Sequence, residues 1–437
     1  MSRILLITTY FYPQNRIPVL RVAQWAKYWA LMGCKVTVLT TRKYGFMGPF
    51  GLNESLPSNV EIIEIDYLPK ILINKLENRG VESVFDKKVA SKTHQKESFV
   101  LELKRIFRGL RGYIGSLMDI HDFWVSSATK KGLELLSLKE YDLIVSSYSP
   151  PAVHVVAKKL KNKYPDVKWI ADFRDPWARN HIQSARGIFA LYENYKEKSI
   201  IQSADCLVTV SAPSTKELQS HYPDKIVHTI ENGFDPEEFP TWKEDLQLER
   251  KIDCKIKIVY AGFIYPGKRD PSPLFIACNE LIDDGIISKE DIAIDFYGNN
   301  KKELDAIIDR IDGNRNNIIN INGFVTRKKS LQAQKKSDLL LFLEWNDPTA
   351  RSTLPGKLFE YLVSGVPILA VGVDTKNCSG QLIEETRTGK TALNSNEIKQ
   401  ILKDIYKTKY ISFYKPVISK IEKYSRSKQA KAMLNLV

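Results

Sequence analysis

The stretch "LPGKLFEYLVSGVPILAV", residues 354–371, reads as an apolar helix running into a short apolar strand. Leu358, Phe359, Leu362 and Val363 cluster on one helical face, while Lys357 and Glu360, three apart, project from the other side. A helix start exposes unpaired N–H groups at the positive end of its dipole, so Gly356 followed by Lys357 suits a seat for an anion such as a phosphate. The same residues also suit an ordinary Lys/Glu surface pair.

Short continuous apolar runs of the kind that form buried parallel strands recur along the chain: ILLIT, KVTVLT, VEIIEI, DLIVSS, KWIAD and CLVTVS, then IKIVYAG, IAIDFYG, NIINI, DLLLFL and VPILAVG. Helical stretches fall between most of them. The alternation runs twice, with a polar, proline-containing break over residues 236–255 just after the turn signal Asn232-Gly233. This predicts an α/β protein of two Rossmann-like doubly wound domains, 1–239 and 240–417, with a C-terminal helix over 418–437 able to pack back on the first. Ligands of such sheets bind outside the carboxyl ends of the strands, so two domains facing each other are expected to line a cleft with both sets of loops.

The length, 437 residues, suits two domains, and 43% hydrophobic with 27% charged residues is an ordinary globular composition. Lys and Arg number 65 against 51 Asp and Glu, a net charge of +14 that suits an anionic partner. The positive charges are dispersed and no nucleic-acid recognition motif is visible, so no nucleic-acid partner is expected. Five cysteines are scattered singly, which argues against a disulfide framework and for a reducing cytoplasm. The opening MSRILLITTYFY reads as a first strand rather than a signal sequence, and no apolar run is long enough to span a bilayer. There is no HExxH, no DxD at a strand end and no His/Cys cluster, so no metal and no other cofactor is expected. Neither GxGxxG nor GxxxxGK[ST] follows a predicted strand, which speaks against NAD binding and ATP hydrolysis.

The charged residues gather where strands end. "YAGFIYPGKRDP" (260–271) places Gly262 at a strand end and delivers Lys268 and Arg269 to the loop, where glycine lets backbone approach a diphosphate and the cations supply charge-assisted contacts. "WIADFRDPWARN" (169–180) packs Asp172, Arg174, Asp175 and Trp177 into six positions, natural in a cleft where a carboxylate orients a hydroxyl, or else a structural brace. "SSYSPPAVH" (146–154) offers His154 near a helix start, as a catalyst or a structural hydrogen-bonder. "TIENGFDPEEF" (229–239) offers Asn232 in a turn, and the loop after the first strand offers Arg16 and Arg21 as acceptor contacts. One segment, 72–135, departs from the alternation. Within it "LELKRIFRGLRGYIGSLM" sets Lys104, Arg105, Arg108 and Arg111 among Leu103, Phe107, Leu110 and Leu117, the basic amphipathic pattern of a helix on an anionic membrane or of a surface helix on its own domain.

Together "LLITTYFYP", "ADFRDPW", "VTVSAPS", "ENGFD", "VYAGFIYPGKR" and "PGKLFEYLVSGVPIL" resemble, in order and spacing, the GT-B nucleotide-sugar glycosyltransferases, in particular the family 4 enzymes of bacterial capsule, O-antigen and exopolysaccharide assembly. The resemblance implies that Gly262, Lys268, the Gly356–Leu358 region and Lys357 hold the donor diphosphate and that Glu360 bonds the donor ribose. It places the base near Gly298 and the "NGFVTRK" loop around Phe324 and Val325. From the residues themselves, Asp172, Arg174, Asp175 and His154 are the candidate catalytic group, and Arg16, Arg21 and Asn232 the candidate acceptor-side contacts. Further implied by the resemblance are a UDP-sugar or, next, a GDP-sugar donor, retention at the anomeric carbon with the donor's phosphate oxygen helping to deprotonate the acceptor, and no metal. The acceptor implied is a lipid-linked saccharide at the inner face of the cytoplasmic membrane, with segment 100–117 docking on anionic lipid. Three departures stand out. Ser352 occupies the place of the first glutamate of the family's E-x7-E pair, Phe263 replaces the usual arginine, and Gln14, Asn15 and Arg16 stand where a Gly-Gly pair is common. The same architecture would also serve a sugar-nucleotide epimerase or a non-catalytic sugar-binding protein.

Overall fold

A computed structural model describes residues 2–436 other than 49, 53, 69–72, 74–114, 118, 180–184, 266 and 346–353. Among the described residues the strands are β1 (Arg3–Ile7), β2 (Lys35–Thr41), β3 (Val60–Ile65), β4 (Leu143–Tyr148), β5 (Lys168–Phe173), β6 (Cys206–Thr209), β7 (Val227–Thr229), β8 (Ile256–Ala261), β9 (Ile292–Tyr297), β10 (Ile319–Ile321), β11 (Leu339–Leu343), β12 (Ile368–Val371) and β13 (Gly389–Ala392). They form a seven-stranded sheet ordered β3-β2-β1-β4-β5-β6-β7 and a six-stranded sheet ordered β10-β9-β8-β11-β12-β13. Every strand pairing is parallel, with helices as the crossovers. The expected α/β class with two Rossmann-like domains is what the chain adopts.

The first sheet shows why continuous apolar strands are required. In β1, Ile4 and Leu6 pack on one face with Trp25 and Trp29 of the helix Ile17–Leu31, while Leu5 and Ile7 pack on the other with Trp124 and Ala128 of the helix Trp124–Leu138. Both faces are buried, so neither set of alternate positions can be polar. Each large side chain buried this way contributes about 1.5–3 kcal/mol relative to exposure.

The chain forms two compact units, Met1–Glu231 with Ala430–Val437, and Asn232–Gln429. The division falls before Asn232 rather than at 239/240, because Phe234 already belongs to the second unit: its N–H donates to Tyr424 O (3.1 Å), its C=O accepts from Arg426 N (2.8 Å), and its ring meets Trp242 edge-on. The stretch 418–437 is two helices, Ile418–Glu422 and Arg426–Leu434, rather than one. Only 430–437 belongs to the first unit, where Trp29 Nε1 donates to Ala430 O at 2.9 Å and Met433 joins the core. Among the described residues no helix is long and apolar enough to cross a membrane.

Candidate functional site

In the second unit the chain runs from β8 through β9 and β10 on one side of the sheet and then crosses to β11 on the other, so the strand order reverses beside β8. Open α/β sheets hold ligands at such a switch point. Gly262, Gly298, Glu344 and the helix Gly356–Val363 all fall just beyond the strands that meet there. Gly298 adopts φ +134°, and a Cβ on it would stand 2.3 Å from Gly262 O, so glycine is needed for the two turns to touch. Asn300, fully buried, fastens the same turn: its Nδ2 donates to Gly262 O (2.6 Å) and its Oδ1 accepts from Ile264 N (2.8 Å). Gly298 N in turn donates to Gly323 O at 2.8 Å, tying in the loop that carries Phe324, 80% exposed, and the half-buried Val325.

The Lys357 side chain runs inward from the helix start. Its Nζ lies 4.0 Å from the centroid of the Tyr260 ring, with Phe342 and Tyr361 at 5.8 and 5.9 Å. The Nζ is buried and has no hydrogen-bond partner among the described residues. It abuts Gly262, where an added Cβ would come within 3.2 Å of it. Burial, with the Arg269 guanidinium nearby, pushes its pKa well below the usual lysine value, against the pull of Glu344 and Glu360. Around it, Lys268 Nζ lies 5.1 Å over the Trp345 ring, and Arg269 donates to Phe263 O (3.0 Å) while lying 5.1 Å over Tyr265. The Glu344 carboxylate, raised by burial, accepts from Ser379 Oγ (2.6 Å) and Trp345 N (3.0 Å).

Lys357 and Glu360 do not form the surface pair open to them in sequence. Glu360 accepts from Arg327 Nη2 at 2.9 Å, and Arg327 also forks onto Glu238 through two 2.8 Å bonds. Burial raises the Glu360 pKa and Arg327 opposes that rise. Leu358 is fully buried, and its N–H is already bonded to Pro355 O (3.0 Å), so Leu358 offers neither group to a ligand. Asn232 Nδ2 donates to Leu354 O at 3.4 Å, bracing the approach to the same helix.

In the first unit the structure corrects the catalytic candidates. Asp172 is fully buried and forms a two-point ion pair with Arg21, also buried, at 2.8 and 3.2 Å, with Ser147 Oγ donating at 2.7 Å. Arg21 further donates to Ile230 O and Glu231 O. This is the brace rather than an exposed carboxylate, since charge taken from water here is met by a partner on every side. Arg21 is likewise no acceptor contact. His154 is fully buried among Tyr148, Trp169, Phe173 and Trp177, bonds Ser146 Oγ through Nδ1 (2.7 Å), and is lowered to about 3 by burial, so it is a neutral structural residue. Arg174 pairs with the exposed Asp175 at 2.8 Å and lines a small pocket with Trp177, Arg179, Glu197 and His221. Arg16 donates to Gly48 O at 3.2 Å. Ser352 and most of segment 100–117 lie outside the described residues.

Sequence reading missed Asn300, Glu238, Arg327 and Glu344. Glu344, directly after the apolar run LLLFL, carried the strand-end signal that picked out Gly262; the other three meet their partners only through the fold. Among the described residues no three His, Cys, Asp or Glu side chains come together in a metal-ligating group. Chemically, the arrangement holds an ammonium without a counter-ion at a sheet switch point, flanked by two more cations. Such a charge is costly until an anion enters, and it would then stabilise charge developing on that anion.

Residues 70–238 match the family described as Glycosyltransferase Family 4. No curated protein sequence matches the chain significantly. Among solved structures, the chain is similar to sucrose-phosphate synthase from Thermosynechococcus elongatus (12% identity, TM-score 0.60, 100% of this chain and 98% of that one). It is similar to a glycosyltransferase from Rickettsia africae (13%, 0.56, 100% and 97%). It also resembles WaaG, a glycosyltransferase involved in lipopolysaccharide biosynthesis (11%, 0.54, 99% and 99%). At these identities the likeness is one of fold, and it extends over nearly the full length of each chain.

Proposed function

We propose that this chain, a glycosyltransferase of the GT-B fold and family 4 type, moves a sugar from a nucleotide-sugar donor, a UDP-sugar first and a GDP-sugar next, to a lipid-linked saccharide in bacterial surface-polysaccharide assembly. The observation that carries the donor half is Lys357: a buried ammonium with no hydrogen-bond partner among the described residues, lying close against the Gly262 turn. A nucleoside diphosphate supplies the missing counter-charge. Lys268 and Arg269 add cation at the same loop, and Glu360, whose Oε2 is not engaged by Arg327, accepts ribose hydroxyls.

In this reading catalysis is positioning and charge stabilisation of the leaving diphosphate, with its oxygen taking the acceptor proton and configuration retained. Two loop cations, Lys268 and Arg269, with Lys357 of the facing helix support a reaction that runs without a divalent metal. The acceptor half rests on the +14 charge and on the basic sequence 100–117, both suited to a peripheral enzyme at the anionic inner face of the cytoplasmic membrane.

The test is incubation with UDP- and GDP-sugars and a polyprenyl-diphosphate-linked sugar in EDTA, following nucleotide release and the anomeric configuration of the product. Acceptor-dependent release with retention is expected. Conversion of the donor sugar without acceptor, or an absolute need for divalent metal, would contradict the reading.

A further inference from the structure

The helix Ile188–Ile201 is inverted with respect to the usual amphipathic rule. Its two carboxylates face inward. Glu193 accepts from Ser116 N (2.8 Å) and Ala185 N (3.2 Å), and Glu197 accepts from Ala178 N (2.7 Å) and the Tyr222 hydroxyl (2.5 Å). Its outer face carries Ile188, Leu191, Tyr192 and Tyr195, exposed by 75, 73, 57 and 69%, with Phe189 beside them. These positions, three and four apart, form one stripe. The exposed charged side chains at this helix, Arg186 and Lys198, are both cationic.

We infer that this face docks on an anionic lipid surface. Isoleucine and leucine enter the acyl boundary, tyrosines suit the headgroup level with an apolar ring and a polar tip, and Lys198 reaches lipid phosphates. A second copy of the chain is the poorer partner. A two-fold interface sets the same patch against itself, so its cationic side chains face a like-charged surface on a chain already carrying +14, with the helix carboxylates turned inside. The basic sequence Lys104–Arg111 leads directly into Gly115 and Ser116, and Ser116 is the residue pinned to Glu193. The inference rests on the lipid-linked acceptor proposed above and adds to segment 100–117 a second membrane contact, on the helix Ile188–Ile201.

The test is co-sedimentation of the full-length protein with phosphatidylcholine vesicles and with vesicles containing phosphatidylglycerol, at low salt, for wild type, Leu191→Glu/Tyr195→Glu and Leu191→Ser/Tyr195→Ser. A thermal shift with UDP is run on each. The expected result is preferential binding to the anionic vesicles, reduced roughly tenfold or more by the glutamate pair and less by the serine pair, with the UDP shift intact. Unchanged vesicle binding by the glutamate pair overturns the inference. A wild-type dimer that becomes monomeric in that variant while vesicle binding persists overturns it in favour of self-association. A missing UDP shift in the wild type would count against the donor reading alone, leaving the docking result to stand by itself.

Discussion

The Lys357 ammonium rests 4.0 Å from the centroid of the Tyr260 ring and touches no hydrogen-bonding atom among the described residues. The ring quadrupole recovers part of the lost hydration, about 2 kcal/mol in a dry setting, but an ion's desolvation costs more. The site is therefore strained in favour of an anion. Lys357→Met should stabilise the unliganded protein by about 1–4 kcal/mol while weakening nucleoside-diphosphate binding roughly 30-fold or more. Denaturant unfolding and calorimetric titration check the two effects.

The same residue sets a pH dependence. Because the folded pKa lies below the unfolded one, the unfolded chain binds the extra proton in the interval between them, and stability rises with pH across it. Unliganded wild type should therefore gain stability toward alkaline pH relative to Lys357→Met, and saturating UDP should abolish the difference in slope.

His154 gives the complementary case at acid pH. With a folded value of about 3 against an ordinary 6.5, stability is lost as pH falls through that window, by up to about 1.4 kcal/mol per unit from this residue. His154→Gln should flatten the acid limb of the stability curve. The variant's kcat should show no missing inflection near neutrality, since a neutral core residue does not titrate there.

The fold was legible where burial leaves a local signature. All eleven apolar runs became strands, and the two strands that carried no such run are β7, VHT, and β13, GKTA. Both lie at sheet edges, where one neighbour suffices and polar residues are tolerated. The site was legible only in part for a related reason. Gly262, Gly298 and Lys357 sit at helix or strand ends, whose chemistry is local. Asp172 and Arg21 are 151 positions apart, and Arg327 reaches Glu238 across 89 and Glu360 across 33, so nothing in their own neighbourhoods announces the pairing. Density of charge at a strand end therefore left Asp172 open between a cleft carboxylate and a structural brace, and only the fold, by supplying Arg21, decides for the brace.

That brace makes its own prediction. Among the described residues, Arg21→Met leaves the buried Asp172 carboxylate with the Ser147 hydroxyl as its side-chain partner, and should cost about 3–5 kcal/mol by thermal or urea unfolding. Asp172→Asn should lose stability in the same assay. A variant with unchanged stability but abolished turnover would instead make Asp172 a catalytic group.

Gly298→Ala should be among the most damaging single-methyl changes in the second unit. Its φ of +134° and the 2.3 Å approach to Gly262 O force the turn to move, at a cost of about 2 kcal/mol or more. Nucleotide affinity should fall with it, because the displaced turn is the one against Lys357.

The most direct measurement is the thermal shift of wild type and Lys357→Met with UDP, GDP, ADP and CMP in EDTA. A ligand near 100 times its Kd adds about 2.7 kcal/mol, worth some 2–4 °C per kcal/mol in a domain of about this size. Wild type should show a clear rise with UDP or GDP, and Lys357→Met little or none. An equal rise in both proteins, or none in wild type with any nucleotide, would contradict the assignment of Lys357 as the diphosphate seat.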